Sequence, residues 1–381
     1  MGNPKKEKNM ILGKRTLKIT SVILASMLII SGCSLGQSQQ TAAEAPPAED
    51  TEKESKIEAA IIEQEKPDLT GLAQSPLTGL YIDENYAALR PIGIMINNNH
   101  KCLPQSGISQ ADIYYEALAE GGISRIFAVF QHMTSEKIGP VRSAREYYTS
   151  FALDNDAIFI HHGGSPTGYN AIRERGLDSL DGMDGGIGFY RDPSRSSVPA
   201  MYEHSSYINA DGIYDQVESK GYRMEQDSEK LPLFTFTDPL GDELELSDGI
   251  TASDVIIPLS YYQTSEFLYD AENRIYERHQ NAMPQIDEET ENVLTVKNVI
   301  IQFTDMWAIS GDEAGRMAVS LVSRGSGKYI TNGKAVDITW KKDSQFEPTK
   351  WYNSEGEPLE LNCGKTWVMV VQNGTNVTYG Q

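Results

Sequence analysis

Apolar positions along the 381-residue chain fall into three regimes. A basic opening stretch with Lys5, Lys6, Lys8, Lys14, Arg15 and Lys18 runs into the apolar segment Val22 to Ile30, a signal-peptide core too short to span a bilayer. Between Ser34 and about Ser75 no sustained apolar face exists beyond the weak patch Ala59 to Ile62. Gln37, Gln39, Gln40, Pro46, Pro47 and scattered Glu predict a disordered acidic tether there, spanning about 35 Å root mean square as a coil. From Leu77 the pattern turns into strong apolar runs. Ile92 to Ile96 reads as a buried strand ending in a turn at Asn97-Asn98-Asn99. Asp112 to Leu118 and Ser124 to Gln131 read as a hairpin around Gly121-Gly122, and Ala157 to His161 as a further strand. Helical spacing occupies Ser143 to Leu153, Thr167 to Arg175 and about Gly212 to Lys220.

After about Asp248 the spacing shortens. Strand-like runs at Asp254 to Leu259, Glu266 to Tyr269, Arg274 to Arg278, Val299 to Phe303, Met317 to Val322, Lys328 to Ile330, Ala335 to Trp340 and Thr366 to Val371 alternate with turn signals. The turns include Asp270 to Asn273, Gly325-Ser326-Gly327 and Asn332-Gly333. The pattern predicts an α+β protein, a mixed α/β domain at 76–230 followed by a smaller, mainly β domain at 231–381. Residues 1–32 form the signal peptide, and 33–75 the lipidated cysteine with its tether.

Composition changes the picture at two points. A net charge of −21 argues against a phosphate-tracking nucleic-acid binder, and no basic patch offsets it. Ile30-Ser31-Gly32-Cys33 places small residues before a cysteine directly after the apolar core. This resembles the lipobox of bacterial lipoproteins, in which the thiol receives a diacylglyceryl group and becomes the first mature residue. Cleavage there removes six basic residues and one acid, so the charge becomes −26. Cys102 and Cys363 remain, and the reading favours two separate thiols over a bridge.

The candidate chemistry starts at Gly139-Pro140-Val141-Arg142-Ser143-Ala144-Arg145-Glu146. Ser143 and Glu146 have capping-box spacing, which predicts a helix beginning at Ser143. Arg142 and Arg145 would then sit at the positive end of its dipole and call for an anion. That anion is either internal, with Glu116 and Glu120 as candidates, or an external phosphate or carboxylate. His161-His162-Gly163-Gly164-Ser165-Pro166 offers a second helix start, with Ser165 read as an N-cap rather than a nucleophile because Thr167 breaks the G-x-S-x-G pattern. One of His161 and His162 faces the site as an anion donor or general acid–base group. His204-Ser205-Ser206-Tyr207, preceded by Arg191 and Arg195, forms a third polar cluster. The ligand-binding candidates are therefore Arg142, Ser143, Arg145, His204, Tyr207, Glu116 and Glu120, and the catalytic candidates His161, His162 and Ser165. Tyr114-Tyr115, Tyr147-Tyr148 and Tyr261-Tyr262 could stack on sugars, with one ring of each strand pair turned inward. No metal or other cofactor is expected, because neither the histidine pair nor Asp178, Asp181 and Asp184 has ligand spacing.

At these residues the sequence resembles the YerB-like lipoprotein family of Gram-positive bacteria. The likeness runs from about Leu77 to Val371. It rests on Ala111 to Glu116, Ala119 to Gly122, Gly139 to Arg145, His204 to Tyr207 and Gly364-Lys365-Thr366-Trp367. It implies a two-part, lipid-anchored extracytoplasmic protein on the cell membrane, and it transfers no activity. The residues themselves suggest binding of an anionic wall component or a wall-synthesis partner, that is, a wall polymer or an envelope protein. A hydrolase or transferase on wall glycan or peptide, and an importer solute receptor, are the alternatives.

Overall fold

The computed structural model describes residues 67–380. The signal segment, Cys33 and the tether up to residue 66 lie outside the described residues; the last part of the expected tether is structured instead, with Leu72–Gln74 pairing antiparallel with Tyr81–Asp83. The first part contributes β1 (Ile92–Asn97), β2 (Ile113–Glu120), β3 (Ile123–Phe130), α1 (Tyr148–Asp154), β4 (Ile158–His161), α2 (Pro166–Glu174), β5 (Ser179–Asp181), β6 (Tyr190–Arg191), β7 (Ser206–Tyr207) and α3 (Ala210–Ser219). From Ile250 onward all the described elements are strands: β8 (Ile250–Thr251), β9 (Asp254–Pro258), β10 (Thr264–Asp270), β11 (Ile275–Gln280), β12 (Asn298–Thr304), β13 (Arg324–Thr331), β14 (Lys334–Lys341), β15 (Lys350–Tyr352) and β16 (Thr366–Gln372) are the principal ones. The class is α+β with a mainly β C-terminal part.

The two parts share one sheet of eleven strands in the order β8-β14-β13-β12-β16-β2-β3-β1-β4-β5, with β15 added on β14. The seam between them is β16, which runs parallel to β12 on one side and β2 on the other. Alternation splits its side chains between two cores. Val368 and Val370 join Tyr115, Phe127, Phe151 and Trp340 on one face; Trp367 and Met369 join Tyr114, Ile94 and Ile126 on the other. Onto this second face packs a smaller sheet containing β9, β10 and β11, through Val255, Ile257, Phe267 and Tyr276. A sheet covered on both faces explains the near-continuous apolar runs of β1 and β16.

One charged pair is locked between the two sheets. Glu116 of β2 and Arg278 of β11 are both 0% exposed and lie 3.0 Å apart. Glu116 Oε2 also accepts from Trp367 Nε1 at 3.1 Å. Its Oε1 accepts from Ser124 Oγ at 2.7 Å and from Asn98 Nδ2 and Ser265 Oγ at 3.0 Å each. The Arg278 guanidinium stands 5.0 Å from the Trp367 ring centre and 5.3 Å from that of Phe267. Burial pushes the Arg278 pKa down, against the pull of Glu116.

Three expectations are corrected. The helix begins at Tyr148, not Ser143. The backbone stays extended because Ala144 N–H donates to Gly163 O and Ser165 N–H to Ala144 O, and Glu146 turns away to pair with Arg175 instead of closing a capping box. Gly325-Ser326-Gly327 is not a turn but lies inside β13. A Cβ at Gly327 would stand 2.6 Å from Ile301 O, and one at Gly325 2.7 Å from Phe303 O, so glycine there permits close strand approach. Both rings of Tyr114-Tyr115, like those of Tyr147-Tyr148, are buried at 2% exposure or less. Cys102 and Cys363 are free thiols.

Glu116→Gln should destabilise the fold by about 3–5 kcal/mol, because it leaves Arg278 as an uncompensated buried charge and turns an amide N–H₂ toward donors. Urea unfolding measures this. Glu116→Gln combined with Arg278→Met should recover part of the loss, and a single variant within about 1 kcal/mol of the parent would contradict the assignment.

Candidate functional site

The site grows from the strap Gly139 to Arg142, which is laced between three elements. Asn97 N–H donates to Pro140 O at 2.9 Å, Val141 N–H to Ser206 O at 2.7 Å, Arg142 N–H to Met95 O at 2.8 Å, and His162 N–H to Arg142 O at 3.0 Å. Gly139 enters this strap at a φ of +145°, where a Cβ would meet Val141 N at 2.8 Å and Ser206 O at 3.0 Å. The strap thus holds Arg142 beside the end of β4 and beside β7, over a cleft of about 400 Å³. Arg142, Ser143, His162, Arg191, Glu203 and Ser206 line it, with Gly163, Gly164, Tyr169, Met183 and Tyr202 completing the wall.

Pleat alternation separates the adjacent histidines. His161 is 1% exposed and turned into the body, its Nδ1 donating to Gly163 O at 2.9 Å; burial pushes its pKa down. His162 faces the cleft. Arg191 Nη2 lies 3.2 Å from its Nε2, and a guanidinium only donates, so Nε2 accepts. Nδ1 then carries the proton and donates to Ser206 Oγ at 2.8 Å. The ring has no lone pair left with which to deprotonate Ser206. Burial first, and the Arg191 charge second, hold the His162 pKa below its ordinary value.

The two cleft arginines differ in their partners. Arg142 Nη1 donates to Glu203 O at 2.7 Å and Nη2 to Glu203 Oε2 at 3.2 Å, while its buried Nε has no partner among the described residues. Glu203 lies on the exposed rim. Arg191 Nη1 donates to Tyr202 O at 2.9 Å and Ser205 Oγ at 3.1 Å, and its guanidinium stacks 4.1 Å over the Tyr202 ring. Among the described residues no carboxylate pairs with Arg191. The loop below is clamped by Asp181, which accepts from Gly163 N–H at 2.7 Å, Met183 N–H at 2.9 Å and Tyr169 OH at 2.8 Å.

Several sequence candidates stand elsewhere. Arg145 is taken by Glu120, with Nε at 3.0 Å and Nη2 at 2.8 Å from Oε2, and Arg125 grips the other oxygen. Glu116 belongs to the Arg278 pair. Tyr207 is fully buried, with Lys137 4.8 Å from its ring centre. Ser165 caps α2, accepting from Gly168 N–H at 3.0 Å. His204 sits behind the rim at 2% exposure: Asn97 Nδ2 donates to its Nδ1 at 2.7 Å, and its Nε2 is 3.4 Å from Glu203 Oε1. Tyr202 and Glu203 had no place in the sequence reading, and Arg191 and Ser206 entered it only through the polar cluster around His204, not as ligand-binding candidates. Their sole signal was arginine and serine in a loop flanking His204.

Residues 77–223 match the family described as "Protein of unknown function (DUF3048) N-terminal domain", and residues 255–368 match its C-terminal domain. The chain belongs to the DUF3048 family. It is 32% identical over 308 residues to the protein named "Putative lipoprotein YerB" of Bacillus subtilis strain 168, covering 80% of this chain and 88% of the relative. The crystal structure of YerB protein from Bacillus subtilis superposes with a TM-score of 0.69 at 31% identity, over 80% of this chain and 99% of that one. The YerB likeness supports a membrane-anchored lipoprotein, and no helix among the described residues is long and apolar enough to cross a membrane. The two DUF3048 segments supply opposite members of the Glu116–Arg278 pair.

Two outcomes test this geometry. Replacing Arg191 with Gln removes a neighbouring positive charge, so the His162 ring should titrate at a higher pH than in the parent, read from ring-proton NMR shifts. Arg145→Ala should lower stability by about 2 kcal/mol in urea unfolding while leaving the cleft's ligand binding unchanged.

Proposed function

We propose that this lipoprotein stands on the extracytoplasmic face of the cell membrane and binds an anionic, phosphate- or carboxylate-bearing wall polymer through the Arg142–Arg191 cleft. The observation that carries the reading is Arg191, a half-buried cation in a cleft with no carboxylate partner among the described residues. Planar guanidinium forks match phosphate and carboxylate oxygens. Arg142 is restrained only by rim-exposed Glu203, a weak competitor in high dielectric. The acidic body does not forbid a polyanion, since screening at physiological salt limits its repulsion to about 8 Å. The hydrogen-bond polarity at His162 and Ser206 favours holding a ligand over a serine-hydrolase step, and the single shared sheet is unlike the paired α/β lobes of an importer receptor.

The test titrates the full chain in detergent micelles with a poly(glycerol phosphate) chain at two salt concentrations. Binding should weaken about tenfold or more in Arg191→Gln, a loss of 1.5–3 kcal/mol for a charged hydrogen bond. It should also weaken at high salt. A parent that binds neither this polymer nor a carboxylate-bearing one would overturn the proposal and leave an envelope protein as the partner.

A further inference from the structure

We propose that a second pocket, between the β2–β3 hairpin tip and the Tyr261–Tyr262 turn, binds one sugar residue of a neutral glycan chain. The pocket has a volume of about 260 Å³ and includes no Asp, Glu, Lys or Arg in its lining among the described residues. It lies apart from the arginine cleft and shares no lining residue with it. One wall is the Tyr262 ring, 68% exposed, beside Tyr261 at 96%. This ring is placed in advance. Ser260 Oγ donates to Gly122 O at 2.6 Å, Asn281 Nδ2 donates to Tyr262 O at 3.2 Å, and a Cβ on Gly122 would lie 3.1 Å from Tyr262 Cδ2.

The other polar lining groups are the carboxamides of Asn98, Gln263, Gln280 and Asn281 and the imidazole of His100. Gln263 is 2% and Gln280 4% exposed, and Gln280 Nε2 donates to Asn98 O at 3.2 Å. Gln280 Oε1 has no hydrogen-bond partner among the described residues, although a buried acceptor left unpaired costs about 1–3 kcal/mol. A pyranose suits this lining. Its C–H face is apolar and stacks on an exposed tyrosine ring, and its rim of hydroxyls or acetamido N–H can pair with the lining carboxamides. Ile123 and Gly121 add the apolar floor of the opposite wall. An anionic headgroup would find no Arg or Lys in this lining, and the pocket is smaller than those that enclose drug-sized ligands, so a single ring of a longer chain is the fitting unit.

The experiment titrates the full chain in detergent micelles with chitotetraose and maltotetraose, following tyrosine and tryptophan fluorescence and calorimetric heat. The parent should bind at least one, and the pair tells whether the acetamido group is required. Tyr262→Ala should weaken binding about tenfold, Tyr262→Phe should retain it, and Arg191→Gln should leave it unchanged. Gln280→Met, with its thermal unfolding checked, should weaken binding as well. No binding of either sugar at millimolar concentration, equal binding by Tyr262→Ala, or binding of phosphatidylglycerol vesicles through Tyr261 and Tyr262 in place of sugar would overturn the proposal.

Discussion

The Glu116–Arg278 pair is the constraint around which the described body is arranged. Two charges removed from water are tolerated only when their geometry is good and the remaining polar atoms are satisfied. Glu116 meets that condition with donors from five other residues of both parts: Asn98, Ser124, Gln263, Ser265 and Trp367. Arg278 meets it less fully, for its Nε and Nη1 have no partner among the described residues. Such a pair is an expensive way to gain stability and an effective way to fix register. A slip of one residue in β2 would point Glu116 to the opposite face and away from Arg278. The smaller sheet is thereby keyed to one position on the larger one.

The arginine cleft inherits its geometry from that order rather than from any helix. Arg142 is fixed by four backbone hydrogen bonds along the strap, and these tie it to β1, β4 and β7 together. The cationic side chains therefore sit on extended backbone that is braced on several sides, which limits the reorganisation needed to meet a ligand. The rim, by contrast, is built from Tyr202 and Glu203 in a 3₁₀ turn, whose carbonyls accept from the two arginines.

Local pattern made much of the fold legible. Ile92 to Ile96, the hairpin around Gly121-Gly122, α2 with its Ser165 cap and the Asn332-Gly333 turn follow from alternation, capping and turn chemistry within a few residues. What stayed hidden was non-local. Nothing near Thr366 says that β16 pairs with β2, more than two hundred residues away, so a shared sheet could not be read from spacing. Ser143 and Glu146 had the right spacing for a box, but tertiary bonds to Gly163 and Arg175 outcompeted it. At the site, Arg142 and His162 were legible from a dense run of chemistry-bearing residues. Arg191 was not, because a single arginine in a loop acquires meaning only from the absence of an acid beside it.

The position of β16 bears on how the chain reaches this state during synthesis. The strand ending at Gln372 occupies the middle of the large sheet, flanked by strands from both parts. Until the ribosome has delivered it, the edge of β2 that it will cover carries unpaired amides and carbonyls, and Glu116 lacks the Trp367 indole. A chain of such high contact order completes its folding late and slowly. Such an open strand edge is a template for pairing with another chain. The sheet therefore cannot close until nearly the whole chain is present, and a chain ending shortly before residue 366 would lack the strand that joins both parts.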